Sequence, residues 1–219
     1  MKKQFIYSLF MGLFMISVNA QDTQQQSFKL YGIAGMNLSK YVGDDVRDEV
    51  ENRFSPRIGL GTSFELSPTV TFKPEIIYST QGYRSTVEFV TVNGDIVVSE
   101  DRDLTARADY LIIPANFMFN VADRLSLYFG PQAGFNLNES SKIEGEDETI
   151  ESDQLQSFYL AANLGLQYSF ENRLGLRFSY QRGLTRVFRD FDATSIGGNF
   201  TEFDAYQSVF ALELTYQFL

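Results

Sequence analysis

The chain has 219 residues, with 18 Lys and Arg against 28 Asp and Glu, a formal charge of −10, and neither His nor Cys. Those absences exclude a His-based triad, a thiol nucleophile, a disulfide framework and any His or Cys metal centre. The acidity argues against nucleic acid, whose binders carry a basic footprint.

At the start of the chain Met1-Lys2-Lys3 forms a positive n-region. Phe5 to Val18 is apolar and uncharged, and Val18-Asn19-Ala20 ends on small residues. The apolar stretch is shorter than the ~20 residues of a spanning helix, and its flanks are those of a secretory signal. We expect a signal peptide over 1–20 and one β domain over 21–219.

The remainder alternates with period two, the mark of half-buried strands. From Phe28 to Leu38 the even positions are apolar or small. Ile58, Leu60, Phe64 and Leu66 then oppose Arg57, Gly59, Gly61, Ser63 and Glu65. Val70, Phe72, Ile76 and Tyr78 oppose Thr71, Lys73, Glu75 and Ser79, and Leu111, Ile113, Phe117 and Phe119 oppose Tyr110, Asn116 and Asn120. Four further segments follow the same rule: Leu125–Leu137, Phe158–Phe170, Leu174–Gln181 and Val209–Phe218. Eight strands result. Short connections (Ser67–Thr69, Val121–Arg124, Glu171–Arg173) alternate with long ones, about 40–55, 82–108, 138–156 and 184–205. That rhythm predicts an up-and-down antiparallel barrel with every long loop at one end.

Two barrels share this alternation: a soluble one with an apolar lumen and a transmembrane one with an apolar exterior. The polar parity is rich in Gly, Ser and Asn and carries Lys29, Arg57, Lys73 and Arg177 with Glu65, Glu75 and Glu213. Charges of both signs can pair inside a narrow lumen, whereas the large apolar parity would overfill it. We therefore predict a transmembrane barrel with a lumenal charge network of those seven residues. Phe64, Phe72, Phe119, Tyr168, Phe170, Tyr216 and Phe218 fall near the short-turn end, where an aromatic girdle belongs. Tyr78, Phe135, Phe158 and Tyr180 fall nearer the other end.

Most of the acids lie in the long loops, which makes an acidic rim, either a solvated surface or one that meets a cation or a protein partner. Val92-Asn93-Gly94-Asp95 between alternating flanks predicts a hairpin that carries the third and fourth strands beyond the membrane. An eight-stranded interior is filled by side chains, so no open pore is expected. Without His, a general base at neutral pH would need a perturbed carboxylate, so neither enzyme activity nor a cofactor is expected.

Tyr110-Leu111-Ile112-Ile113-Pro114-Ala115-Asn116-Phe117 resembles the Tyr-Leu-x-Ile-Pro strand of the OmpA-like outer-membrane β-barrel proteins of Bacteroidetes, the porin or PorT family. Tyr128-Phe129-Gly130-Pro131-Gln132-Ala133-Gly134-Phe135 and Leu176-Arg177-Phe178-Ser179-Tyr180-Gln181-Arg182-Gly183-Leu184 resemble later strands of that family. The ending Leu214-Thr215-Tyr216-Gln217-Phe218-Leu219 is similar to the signal read by the barrel assembly machinery, with the aromatic one place early. The resemblance implies a Gram-negative outer membrane, periplasmic termini, and contact with outer-membrane lipid and lipopolysaccharide. A structural or adhesive role through the loops is the first expectation. A PorT-like accessory role in type IX secretion and a small gated porin are the alternatives.

Overall fold

The computed structural model describes residues 28–44, 46, 50–93, 96–145, 149–151, 154–189 and 204–218. The expected signal segment, 1–20, lies outside them, as do Gly94 and Asp95 of the predicted hairpin tip. The strands are β1 (Lys29–Val42), β2 (Glu51–Ser67), β3 (Val70–Asn93), β4 (Ile96–Ala122), β5 (Leu125–Ile143), β6 (Thr149–Glu151), β7 (Phe158–Ser169), β8 (Leu174–Gly183) and β9 (Tyr206–Gln217). All pairings between them are antiparallel. Eight close into a ring, β1-β2-β3-β4-β5-β7-β8-β9, with β9 back on β1; three-residue β6 is an appendage on β5.

Closure leaves no sheet edge inside the ring, so each backbone polar group there finds a partner on a neighbouring strand. Only a helix or a closed barrel meets that condition in hydrocarbon. The pleat then sends alternate side chains inward and outward. Arg57, Lys73, Glu75, Arg177 and Glu213 are all at most 6% exposed, whereas Leu60, Ile76, Leu164 and Leu214 are 52–56% exposed. The polar parity is inside. A large apolar band covers the exterior.

Tight turns at Pro68–Thr69, Asp123–Arg124 and Glu171–Arg173 join strands at one end. At the long-loop end the strands rise to different heights. β2 ends its pairing with β3 at Glu51↔Arg84, yet β3 and β4 stay paired up to Asn93↔Ile96. β3 and β4 thus form the raised hairpin that the sequence predicts, and β5 follows to Ile143 against Leu104, so 138–143 is sheet where a loop was expected. The cause is mutual: once a hairpin rises beyond the ring, its open edge is a template for the next strand.

Candidate functional site

The lumen gathers five of the seven predicted charges. Arg177 and Glu213 are register partners on β8 and β9, and Arg177 donates from Nε and Nη2 to Glu213 Oε2 at 2.9 and 2.6 Å. The same guanidinium reaches across to β3, giving Nη1 to Glu75 Oε1 and Nη2 to Glu75 Oε2 at 3.2 Å. Tyr31 also donates to Glu75, at 2.6 Å. Arg57 Nε lies 2.9 Å from Glu213 Oε1. Gly35 stands between Glu213 and Arg57 in the register, and a Cβ there would come within 2.9 Å of Glu213 Cγ. Glycine thus opens the line along which this pair meets.

Lys73 joins the cluster without a carboxylate: its Nζ donates to Gln167 Oε1 at 3.1 Å and sits 4.2 Å from the Tyr31 ring centroid. Three cations therefore face two carboxylates, and the Gln167 oxygen and Tyr31 π face solvate the odd cation. Lys29 and Glu65 do not reach this group. They pair with each other at 3.0 Å, 38% and 51% exposed, near the short-turn end. Their strands run out towards water there, and no low-dielectric force draws them inward.

Tyrosines form a second lumenal motif that the sequence pattern did not single out. Tyr31 faces Gly61, Tyr128 faces Gly165 and Tyr159 faces Gly134 across neighbouring strands. Each ring lies over its glycine: an added Cβ would meet the ring at 2.4, 2.5 and 2.0 Å. A Tyr on the polar parity opposite a Gly is the signal that would have revealed it. Gly165→Ala is the sharpest test, because its Cβ would also meet the Phe178 carbonyl oxygen at 2.6 Å, and backbone cannot swing aside. We expect a loss of about 1–3 kcal/mol, read as a lowered urea midpoint by far-UV circular dichroism. An unchanged midpoint would show the rings free to move.

Towards the long-loop end an apolar cluster sits among buried polar side chains such as Ser39, Gln81 and Gln207. Tyr41, Tyr110, Tyr159 and Ala108 pack with Leu155, Val187 and Ala205, all buried. Leu155 and Val187 come from the segments around β6–β7 and after β8. These fold inward and bond to each other, Gln156 N–H to Val187 O at 2.7 Å and Arg189 N–H to Gln154 O at 2.8 Å. Val187 N–H also reaches Ala205 O at 2.9 Å. Glu139, one of the loop acids, is buried and accepts the Leu155 N–H with both oxygens at 3.2 Å. Phe188 closes edge-on against Tyr41 at 5.4 Å. The charge cluster thus has an apolar cap above it.

On the exterior, Tyr168, Phe170, Tyr216 and Phe218 are 40–46% exposed close to the short turns. Tyr168 with Phe170 and Tyr216 with Phe218 meet edge-on at 5.0 and 5.5 Å. Phe64 contacts Phe28 at 5.8 Å, Phe72 contacts Phe117 at 5.1 Å, and Phe119 stacks on Phe129 at 5.5 Å. Among the described residues no group of three acidic side chains could hold a metal ion.

The family model for the outer membrane protein beta-barrel domain matches residues 16–189. The chain belongs to this family. One solved structure agrees on the architecture, and two others are similar more loosely. Neisserial surface protein A matches with a TM-score of 0.51 at 12% identity, over 86% of this chain and 97% of its own. Ail of Yersinia pestis matches at 0.48 and 14%, over 89% and 100%. OprG of Pseudomonas aeruginosa matches at 0.40 and 15%, over 90% and 98%. No curated protein matches the chain. As an outer-membrane barrel, the molecule exposes its apolar band to lipid and keeps its ion cluster out of it.

Proposed function

We propose that this outer-membrane barrel is a closed scaffold that acts through the sheet raised at its long-loop end, in a structural or adhesive role. The supporting observation is the rise of β3 and β4 beyond the last pairing of β2. The nine residues beyond Arg84, ending at Asn93, reach roughly 30 Å further at ~3.3 Å per residue. So long a protrusion has no use in spanning a membrane. Its Glu88, Glu100, Asp101 and Asp103 make the surface acidic and favour a cationic or polar partner. The ion cluster below and the apolar cap above favour a lumen that does not conduct. In this reading the short turns and both termini face the periplasm, and residues 1–20 direct export.

Replacing residues 88–101 with Asn-Gly, between the register partners Val87 and Arg102, is the test. The shortened barrel is expected to insert and keep its heat-modifiable migration, while crosslinking of intact cells loses the partner that the full chain captures. An unchanged crosslinking pattern counts against the role. Steady conductance of the full chain in a planar bilayer would overturn the closed lumen and favour the gated pore. A deletion strain with a specific secretion defect would favour the type IX accessory role.

A further inference from the structure

Three adjacent strands lose their outward apolar character on one row. From the short-turn end, the outward residues of β8 run Leu174, Leu176, Phe178, Tyr180 and then Arg182. Those of β9 run from Tyr216 through Leu214, Leu212 and Phe210 to Ser208, and those of β1 from Leu30 through Met36 and Leu38 to Lys40. The register joins the three ends: Lys40 faces Ser208, and Ser208 faces Arg182. Two cations therefore flank one hydroxyl above the outward apolar runs of β9 and β1.

Aromatic neighbours hold Arg182 and the serine there. The Arg182 guanidinium lies 5.7 Å from the Tyr206 ring centroid, and Ser208 Oγ lies 3.4 Å from the Tyr180 hydroxyl. Neither cation has an ion pair among the described residues. The row continues through Ala162 to Pro131, whose short side chains leave a recess of about 440 Å³ in the lipid-facing wall. Phe129, Leu164, Tyr180 and Leu184 line it, with Arg182 at its edge.

Cations at a membrane boundary often snorkel with no specific partner. The juxtaposition here is more demanding: an anion-binding pair beside an apolar trough matches an amphiphile with a phosphate head and an acyl chain. We propose that Arg182 and Lys40 clasp a phosphate of an outer-leaflet glycolipid of the lipid A class, with one acyl chain in the Ala162–Pro131 recess. Arg supplies a planar fork for phosphate oxygens and Lys a second point charge. The tyrosine and serine hydroxyls complete a polar collar at headgroup level. The inference rests on the long-loop end facing outward, and not on the role of the raised sheet.

The test uses the refolded full-length barrel in detergent, with native mass spectrometry to read bound lipid and heat-modifiable migration to confirm each fold. Bisphosphorylated lipid A is expected to bind, and its dephosphorylated form about 30-fold less tightly. The double substitution Arg182→Gln, Lys40→Gln should give a similar loss, while Arg182→Lys stays within a few-fold of the wild type. Ala162→Trp should weaken the phosphorylated lipid by filling the recess. Lys142→Gln, on the extension of β5, should change nothing. Equal binding of the two lipids, or full binding by the double variant, overturns the proposal. Displacement by millimolar inorganic phosphate alone reduces the site to an anion site and overturns the acyl-chain half. Labelling of Lys142 in intact cells reads the orientation separately, so a wrong orientation is distinguishable from a failed lipid site.

Discussion

Glu213→Ala is expected to destabilise the barrel by about 3–5 kcal/mol, the range found when one partner of a buried ion cluster is removed. Glu213 takes both Nε and Nη2 of Arg177 and stands 2.9 Å from Arg57 Nε. Its loss takes a carboxylate from two guanidinium groups in a lumen where both residues are at most 3% exposed. Glu75 still holds Arg177, but among the described residues Arg57 keeps only Asn37, at 3.1 Å, as a side-chain hydrogen-bond partner. Urea unfolding in lipid vesicles, followed by far-UV circular dichroism since the chain has no Trp, measures the loss. Adding Arg57→Met should recover part of it, because the second change removes one stranded charge. A Glu213→Ala barrel within about 1 kcal/mol of the wild type would mean that water, and not the carboxylate, solvates these cations.

The second large effect is on the opposite face. Leu214 is 54% exposed and lies midway along the outward apolar run of β9. Leu214→Arg should cost about 2–4 kcal/mol in vesicles, as for a cation at the bilayer midplane of a barrel. The same substitution at Phe218, beside the short turns, should cost no more than about 1 kcal/mol, because there the side chain reaches headgroups. The ratio between the two positions is the readout. Equal costs would show that the band is not centred in the hydrocarbon, and a negligible cost at Leu214 would place that face in water.

Much of this molecule was legible because a strand's period of two is a local property. Leu125 to Leu137 and Phe158 to Phe170 show their two faces without reference to any other segment, and the Ser67–Thr69, Val121–Arg124 and Glu171–Arg173 turns mark where the chain reverses. Val92 and Asn93 with their alternating flanks marked the rise of β3 and β4, but the height of β5 was less legible. Whether Asn138 to Ile143 is loop or strand depends on Leu104 to Asp109 standing opposite, and a partner's position is not written in the segment itself. The charged residues show the same limit. Lys29 and Lys73 sit on the same parity, yet one meets Glu65 near the exposed rim and the other meets Gln167 and the Tyr31 ring in the closed interior. Depth along the barrel separates them, and alternation carries no depth.

By itself the sequence of 219 residues, without His or Cys and at −10, determined which faces alternate, how many strands close the ring and which catalytic chemistries are unavailable. Those follow from side-chain type and spacing along one chain. Only the tertiary structure decided that Arg177 bridges Glu75 and Glu213, that Tyr rings lie over Gly backbones, that Leu155 and Val187 fold in to cap the lumen, and that Lys40 and Arg182 share a row. Each depends on ring closure and register, which bring together residues as far apart in the chain as Leu30 and Phe218 and exist only once the last strand has found the first.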